Sequence, residues 1–408
     1  KACIWCISKY ASPPNYGVGS KLFSTAKYFS DMEIDVVLIS SDSNHLAKYP
    51  DSKETYNYES YGNLAHVWIK TMKYGKSASF KRILSWFDFE YKLYRMDRKR
   101  MKKPDIVIIS SLSLLTILYG IYLKKKYNCK LVFEVRDIYP LTLTEDLGVS
   151  KWNPAVILLG VIEKIGYNKA DIIVGTMPNL KEHVEETIAY KKEVFYSPIG
   201  IHAVWSNEAV KSSKVDQLFP KDSHFIIGYA GSMGISNALD CLVEAIERMV
   251  EYEDIYFILV GDGDLKPLYM ERLSKLKNVT LGPKLKQSEV PYFLSKCDLL
   301  YLSTKDSKVW KYGQSMNKLI DYMMSGRPVV ASYSGFQSML NEANSGIFVK
   351  TNDVNEIIDA VLRFKNMTSE ERFAYGNRGK KWVMENHSYE KIVKDYYRKI
   401  LNLHHIDK

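Results

Sequence analysis

The chain has few cysteines for its length, and they follow no pairing pattern. Five cysteines are scattered over 408 residues. An odd, dispersed set excludes the disulfide framework of a small secreted protein and favours a reducing compartment. Cys3 and Cys6 have the spacing of a redox or zinc pair, but both lie in the apolar run of residues 2–7, and no second pair accompanies them. We therefore expect them to be core residues of a buried strand.

Long uncharged runs are also scarce. Residues 106–123 form one run of 18 residues without a charge, which is close to the length of a membrane span. Ser110, Ser111 and Thr116 interrupt this run, and it divides into a strand, a turn and a helix, so we interpret it as the core of a soluble domain. No signal-peptide pattern precedes the first strand-like run. These observations predict a cytoplasmic protein.

Length and composition indicate a globular chain of more than one domain. At 408 residues the chain exceeds what one hydrophobic core supports, and its 46% hydrophobic and 25% charged residues are typical of folded proteins. Short apolar runs alternate with helical patterns, which is typical of parallel sheets covered by helices on both faces. Residues 198–222 are polar and contain Pro198 and Pro220, so we interpret them as a linker between domains at residues 1–197 and from 223 onward.

Positive charge predominates, with a net charge of +10. Such a chain prefers anionic partners, but charge alone does not choose among nucleotide sugars, anionic lipids and nucleic acid. Residues 80–103 concentrate nine Lys or Arg against three Asp or Glu, together with many aromatic and aliphatic residues. This segment predicts either an anchor on an anionic membrane surface or a helix packed on its domain with a solvated basic face. No nucleic-acid-binding module accompanies the charge, so no nucleic-acid partner is expected.

Residues 311–331 contain the most informative motif. They predict a glycine-containing loop, a short helix from about Asn317 to Ser325, a Gly-x-Pro stop and a buried strand. The unpaired backbone N–H groups at the start of such a helix favour a phosphate or diphosphate, and Lys318 adds a full positive charge. Asp321 follows one turn later and suits the hydroxyls of a ribose. The alternative is a surface Lys/Asp pair on an ordinary amphipathic helix.

Two loops in the first half also follow predicted strands, where ligands of parallel sheets bind. The first contains Gly17 and Gly19 and leads into a helix, so its backbone can approach an anion closely. The second begins with Arg136 and Asp137, which either face a ligand or pair with each other.

Three motifs together resemble the retaining GT-B glycosyltransferases of family 4, in particular the bacterial surface-polysaccharide branch of the L-fucosamine transferase type. Residues 312–328 match its Tyr-Gly-x-Ser-x-Asn-Lys-x-x-Asp-Tyr-Met-x-x-Gly-x-Pro signature. Residues 136–140 match an Arg-Asp-hydrophobic-aromatic-Pro motif, and residues 229–234 match Tyr-Ala-Gly-x-x-Gly. The resemblance extends over nearly the whole chain.

The resemblance implies a GT-B fold, in which two doubly wound Rossmann-like α/β domains face each other across a cleft. It implies an acceptor-side domain at residues 1–197 and a nucleotide-sugar-binding domain at residues 223–388. Residues 389–408 would form a final helix that crosses back to the first domain.

The resemblance also implies the site residues. It places Arg136, Asp137 and Lys318 at the reaction centre. It assigns donor binding to Gly17, Gly19, Gly231, Ser232, Lys266, Lys284, Ser315, Met316, Asn317, Lys318 and Asp321. Most family members have an Arg directly after the glycine at position 231 and a Lys several residues later, where this chain has Ser232 and Asn237. We therefore expect Lys318, and after it Lys266 or Lys284, to neutralise the donor phosphates.

The implied reaction transfers a sugar from a nucleotide diphosphate sugar to a lipid-linked or oligosaccharide acceptor. A UDP-linked donor is expected first, and the product would belong to a capsule or lipopolysaccharide. The enzyme would work peripherally on the inner face of the cytoplasmic membrane and need no cofactor or metal. Asp262 and Asp264 form an Asp-x-Asp that could hold a metal, but the context equally suits a tight turn or a helix N-cap, and the turn is favoured. The alternatives are a nucleotide-sugar epimerase of the same fold and an inactive basic binding protein.

Overall fold

The computed structural model describes residues 2–17, 19–44, 47–74, 80–111, 113–206 and 209–405. The strands are β1 Cys3–Ile7, β2 Asp35–Ser41, β3 Ser43–Asn44, β4 Ala47–Lys48, β5 Tyr56–Tyr61, β6 Leu64–Ile69, β7 Ile106–Ser111, β8 Lys130–Val135, β9 Ile172–Gly175, β10 Val194–Tyr196, β11 Phe225–Ala230, β12 Ile255–Val260, β13 Val279–Gly282, β14 Leu299–Ser303, β15 Val329–Ser332 and β16 Gly346–Val349. The helices are α1 Lys21–Asp31, α2 Phe80–Arg95, α3 Thr116–Tyr127, α4 Leu141–Glu145, α5 Pro154–Lys169, α6 Leu180–Ile188, α7 Ser213–Asp216, α8 Asp240–Arg248, α9 Lys266–Leu273, α10 Val290–Ser295, α11 Asn317–Met324, α12 Val354–Lys365, α13 Ser369–Asn386 and α14 Tyr389–His405.

The chain forms two compact units. The first contains the chain up to Pro198 together with the C-terminal segment from Tyr389, and the second contains residues 199–388. Within the first unit, α14 packs on α1, where the fully buried Tyr396 ring lies 5.9 Å from the Phe29 ring. Residues 406–408 of the predicted final helix lie outside the described residues.

The first unit is built on an eight-stranded sheet in the order β10-β9-β8-β7-β1-β2-β6-β5. All neighbouring strands are parallel except β5, which pairs antiparallel with β6. The central strand β1 is buried along its whole length because helices cover both faces, as its apolar sequence predicts. Strand β5 was not predicted from the sequence, since its residues YNYESY are polar and half exposed.

The second unit is built on a six-stranded parallel sheet in the order β13-β12-β11-β14-β15-β16. Both sheets confirm the prediction of two doubly wound α/β domains. Strands β12 and β13 are added on one side of β11, and strands β14 to β16 on the other side, so the strand order reverses between β11 and β14. These two strands are neighbours in the sheet, although three α-helices and two strands separate them in sequence. Such a reversal point opens a crevice at the carboxyl ends of the two strands.

The stretch predicted as a linker belongs to the second unit from Ile199 onward. Within it, the short helix α7 holds Val215, which is fully buried in the hydrophobic core that also contains Leu319 and Met323 of α11. Residues 207 and 208 of this stretch lie outside the described residues.

The uncharged run of residues 106–123 forms a strand and a helix, as predicted. It contains β7, which is buried throughout, and most of α3. In the part of the chain that the structure describes, no helix is long and apolar enough to cross a membrane.

Candidate functional site

The candidate site of the second unit lies where β11 and β14 end. Residues 231–234 follow β11, and a long loop from Thr304 leads from β14 to the start of α11. Tyr322 of α11 fixes the helix to the end of β11, because its hydroxyl accepts a hydrogen bond from the backbone N–H of Ala230 at 2.8 Å and donates one to the carbonyl of the same residue at 3.2 Å. The beginning of α11 is thereby held beside the crevice.

Lys318, the second residue of α11, is a half-buried cation without a carboxylate partner. Its Nζ donates hydrogen bonds to Oδ1 of Asn237 at 2.7 Å and to the hydroxyl of Tyr229 at 3.0 Å, and it lies 4.6 Å from the centre of the Tyr229 ring. Within the described residues no Asp or Glu forms an ion pair with it. Burial lowers the pKa of Lys318 to about 8. A partly desolvated ammonium of this kind is stabilised by a bound anion.

Ser232 and Asn237 join the same hydrogen-bond network. The Asn237 amide donates to the Ser232 hydroxyl at 3.0 Å, and the Tyr229 hydroxyl donates to the Ser232 carbonyl at 2.6 Å. A side chain at Gly231 would bring its Cβ within 2.6 Å of Lys318, so the glycine leaves room for the lysine. The two positions at which the resembling family has Arg and Lys thus hold neutral residues that orient one lysine.

The loop after β12 packs against the loop after β11. The Met233 N–H donates to the Asp262 carbonyl at 2.8 Å, and Gly261 has a φ of +152°, where a Cβ would come within 1.7 Å of the Gly231 carbonyl oxygen. The N–H of Lys266 donates to the carbonyl of Gly263 at 3.0 Å, so a turn leads into α9, as predicted, and the position before the helix is held by Leu265. Within the described residues, no three His, Cys, Asp or Glu side chains cluster in a way that could hold a metal.

Lys266 and Lys284 differ from Lys318 in their surroundings. The Lys266 ammonium donates to the carbonyls of Gly261 and Gly282, at 2.8 Å each, and so ties together the ends of β12 and β13. Lys284 is exposed. Lys318 is therefore the cation that the structure best prepares for an anionic ligand.

Asp321 lies one helical turn after Lys318 and is also half-buried. Burial raises the pKa of its carboxyl group, and a hydrogen bond from the indole N–H of Trp205 to Oδ1, at 2.7 Å, opposes this effect. The second carboxylate oxygen remains available as an acceptor. The sequence analysis missed Trp205, because it lies 116 residues away in the stretch predicted as a linker.

The loop before α11 buries polar side chains that lack partners. Gln314 is 2% exposed, and neither its amide oxygen nor its amide nitrogen has a hydrogen-bond partner. The Ser315 hydroxyl is also buried without a partner. At the next residue, Met316, no side chain caps α11, whereas Asn317 is exposed. Since more than nine in ten buried polar groups in proteins are paired, this loop has the character of a site that a polar ligand completes. Gln314 was not predicted as a site residue from the sequence.

The candidate residues of the first unit lie at the carboxyl ends of its central strands. Ser20 caps α1 behind the Gly17 and Gly19 loop, and its hydroxyl accepts hydrogen bonds from Phe23 N at 3.1 Å and Ser12 N at 3.2 Å. Val18, between the two glycines, lies outside the described residues. A buried ion pair joins the first residue of α1 to β8, with 3.0 Å between Lys21 Nζ and Glu134 Oε2.

Arg136 and Asp137 follow β8 directly. Arg136 is half-buried, and its backbone N–H donates to the Ser111 hydroxyl at 3.3 Å, while Asp137 is exposed. In the described part of the chain no ion pair joins the two side chains, so the alternative in which they simply pair with each other is not what the structure adopts. Both side chains remain available to a ligand.

Comparison with known proteins gives one family and several similar structures. Residues 224–366 match the family model of glycosyl transferases group 1. An uncharacterized glycosyltransferase of Methanocaldococcus jannaschii is 24% identical over 247 residues, which cover 58% of this chain and 59% of that protein. The chain thus spans less than two thirds of the curated relative that it matches.

The similar structures cover almost the entire chain. Sucrose-phosphate synthase from Thermosynechococcus elongatus superposes with a TM-score of 0.71 at 16% identity, covering 99% of this chain and 100% of that one. The E. coli trehalose-6-phosphate structure bound with UDP-2-fluoro glucose gives a TM-score of 0.73 at 12% identity, covering 99% of both chains. Anabaena Alr3699/HepE in complex with UDP-glucose gives 0.61 at 11%, covering 98% and 100%. These likenesses show that the chain has the GT-B fold of two Rossmann-like domains, as predicted.

Proposed function

We propose that this chain is a retaining glycosyltransferase of family 4, of the bacterial surface-polysaccharide branch similar to the L-fucosamine transferases. It transfers a hexosyl or N-acetylhexosaminyl group from a UDP-linked donor to a lipid-linked glycan. The observation that carries this proposal is Lys318, a partly buried, unpaired cation at the uncapped start of α11, with Asp321 one turn further on. The match to group 1 glycosyl transferases over residues 224–366 supports it.

In this proposal, residues of α11 bind the diphosphate and the ribose of the donor. The backbone N–H groups of the first turn of α11 and the Lys318 ammonium bind the diphosphate and stabilise the negative charge that grows on it as it leaves. The free oxygen of Asp321 accepts hydrogen bonds from the ribose hydroxyls. Lys318 takes the place of a divalent metal, and we propose that the reaction requires none.

We propose a front-face route to retention. The acceptor oxygen bonds to the anomeric carbon on the face from which the diphosphate departs. The bond between the anomeric carbon and the phosphate oxygen breaks, and that oxygen takes the proton of the acceptor hydroxyl. Arg136 and Asp137 are assigned to the reaction centre on the acceptor side. This route needs no pair of carboxylates and no covalent sugar–enzyme intermediate.

The test is an assay with UDP-sugars, in the presence and absence of a lipid-linked acceptor and with a chelator throughout. The proposal requires UDP release coupled to a product whose anomeric configuration, read by NMR, equals that of the donor. Conversion of the donor alone to another UDP-sugar would identify an epimerase instead. A trapped sugar bound covalently to the enzyme would contradict the front-face route.

Replacement of Gln314 by leucine is expected to weaken donor binding without lowering the unfolding temperature of the protein. In the unliganded protein the change removes an unpaired buried amide, so the unfolding temperature should stay the same or rise. The affinity for a UDP-sugar should fall by about fivefold to tenfold, since one ligand hydrogen bond is lost. Thermal unfolding and calorimetric titration measure the two effects. The exposed Gln337, replaced by leucine, is the control that should change neither. A Gln314→Leu protein that unfolds earlier and binds normally would show that the amide serves the fold.

Donor binding is expected to weaken at alkaline pH. Lys318 has a pKa lowered to about 8 by burial, and a bound diphosphate raises that pKa because it favours the charged ammonium. Above this pH the free protein has lost the proton that the complex holds, so the affinity for UDP should fall by up to about tenfold per pH unit, with uptake of a proton on binding. Titrations in two buffers of different ionisation enthalpy measure the uptake. Lys318→Met protein should show no such dependence, and a flat profile in the native protein would exclude this role for Lys318.

We also propose that a lipid-linked acceptor is reached at an anionic membrane surface, with α2 as one contact. The predicted basic and aromatic segment is helical up to Arg95. The outer side of α2 exposes Ile83, Phe87 and Tyr91, and the exposed Arg95 guanidinium lies 5.7 Å from the Tyr91 ring. Apolar side chains next to basic ones are typical of a helix that lies in a membrane interface.

A further inference from the structure

Helix α5 has apolar residues on all sides, although only one side packs on the first unit. Its inner side buries Val156, Ile162 and Tyr167, and Gly166 lies so close to the sheet that a Cβ there would be 2.9 Å from the Phe133 ring. Glu163, also on this side, accepts hydrogen bonds from the His183 ring at 2.7 Å and the Tyr167 hydroxyl at 2.9 Å. The inner side is thus complete in packing and in hydrogen bonds.

The outer side of α5 is apolar as well. Ile157, Leu158, Val161 and Ile165 are 38–56% exposed, which places them on one stripe at helical spacing. Just before the helix, the Trp152 side chain is 86% exposed. We call these five residues the α5 face. A contiguous exposed apolar stripe of this kind marks a surface that binds something.

The exposed charged residues of α5 itself are all basic. All residues of α5 are described, and the charged ones on its exposed side are Lys164 and Lys169, while its one acidic residue, Glu163, is buried. Lys151, which precedes the helix, is exposed and forms an ion pair with Glu145 at 3.9 Å. An apolar surface with lysines and a tryptophan at its edge matches the interface of an anionic bilayer, where lysine binds headgroups and tryptophan lies at headgroup depth. A second copy of the chain would instead bring these lysines against like charges.

The neighbouring helices extend the same surface. Helix α3 contacts both α2 and α5, so the three helices lie side by side on the first unit. Leu118 of α3 is exposed, and so are Phe87 and Tyr91 of α2. Three adjacent helices with exposed apolar residues suit a broad, flat partner better than a single peptide.

We propose that the α5 face is a membrane-binding surface that inserts into the interface of an anionic lipid bilayer. This surface was not anticipated from the sequence, and its existence does not depend on the donor site. It would hold the first unit at the surface from which a lipid-linked acceptor is taken.

The test uses the full chain and vesicles of phosphatidylcholine with or without phosphatidylglycerol. The native protein should sediment with the anionic vesicles at low salt, less at high salt, and little with the neutral ones. Replacing Ile157, Leu158 and Val161 together by serine should lower partitioning into the anionic vesicles by at least about tenfold. All three side chains are exposed, so the variant should fold normally, which circular dichroism checks.

The matched control removes exposed apolar side chains from the second unit. Met270, Phe373 and Met384 are 51–65% exposed, and their joint replacement by serine should leave vesicle binding unchanged. The proposal would be overturned if the control variant lost as much vesicle binding as the triple α5 variant, or if the triple α5 variant bound like the native protein. It would also be overturned if the native protein did not bind anionic vesicles. Light scattering that shows a dimer broken by the α5 substitutions would mean that a second copy covers the face, which also overturns it. UDP binding, measured in parallel on each variant, separates these outcomes from any failure of the donor site.

Discussion

Lys318→Met is expected to lower the affinity for UDP by about 10-fold to 100-fold, because a charge-assisted contact to the diphosphate is lost in a partly buried site. The rate of sugar transfer should fall further, by about 100-fold to 1,000-fold, since in the proposed mechanism the lysine also stabilises charge that develops during the reaction. Calorimetric titration and initial rates measure the two effects. The lysine that accounts for them is held by Asn237 and Tyr229, and Gly231 makes space for it.

The stability of the same variant serves as an internal check. Methionine fills a similar volume and avoids the cost of a half-buried ammonium, so the unliganded variant should unfold no earlier than the native protein. The control is Lys381→Met in α13, a lysine whose side chain is 74% exposed, which should bind UDP normally. Native UDP affinity in the Lys318 variant would show that the diphosphate does not bind at the start of α11.

Glu134→Leu is expected to destabilise the first unit by about 3–5 kcal/mol, because it leaves the Lys21 ammonium buried without its counter-charge. Both side chains are almost completely buried, and Lys21 Nζ also donates to Ser197 Oγ at 3.2 Å and lies 5.8 Å from the centre of the Tyr396 ring. Hydrogen exchange of the α1 and β8 amides measures the effect without assuming that both units unfold together. The pair matters for function as well, since α1 follows the Gly17 and Gly19 loop and β8 leads into Arg136.

A double variant shows whether the loss of the counter-charge of Lys21 or the loss of packing around Glu134 causes the destabilisation. Lys21→Met combined with Glu134→Leu removes both charges and should recover most of the lost stability. The surface pair of Lys381 and Glu385 is the control, since its side chains are 74% and 60% exposed, and Glu385→Leu should cost less than about 1 kcal/mol. If the double variant is as unstable as Glu134→Leu, the ion pair is not the cause.

The sequence predicted the architecture where the signal is local. The apolar runs of β1 and β11 and the helical pattern between them were sufficient for two doubly wound sheets, whereas β5 was missed because its pairing with β6 does not depend on an apolar run. Lys318 and Asp321 were predicted because they lie one turn apart in a single helix. Trp205 and Tyr229 reach that helix from 116 and 89 residues away, and no spacing in one sequence records such contacts.

Burial was the property that the sequence could not supply. Gln314 stands in a predicted motif, but only the structure shows that its amide is enclosed without a partner. Helix α5 reads as an ordinary core helix, since apolar residues occur on all its sides, and its outer stripe became visible only once its neighbours were in place. Both features arise from what surrounds a side chain in three dimensions.

The most direct measurement is calorimetric titration of the native protein with UDP, GDP and ADP in the presence of a chelator, repeated on Asp321→Ala. We predict that UDP binds at one site without metal, more tightly than GDP or ADP, and that Asp321→Ala weakens its binding. Absence of binding by all three nucleotides would contradict the proposed transferase and leave only the GT-B fold.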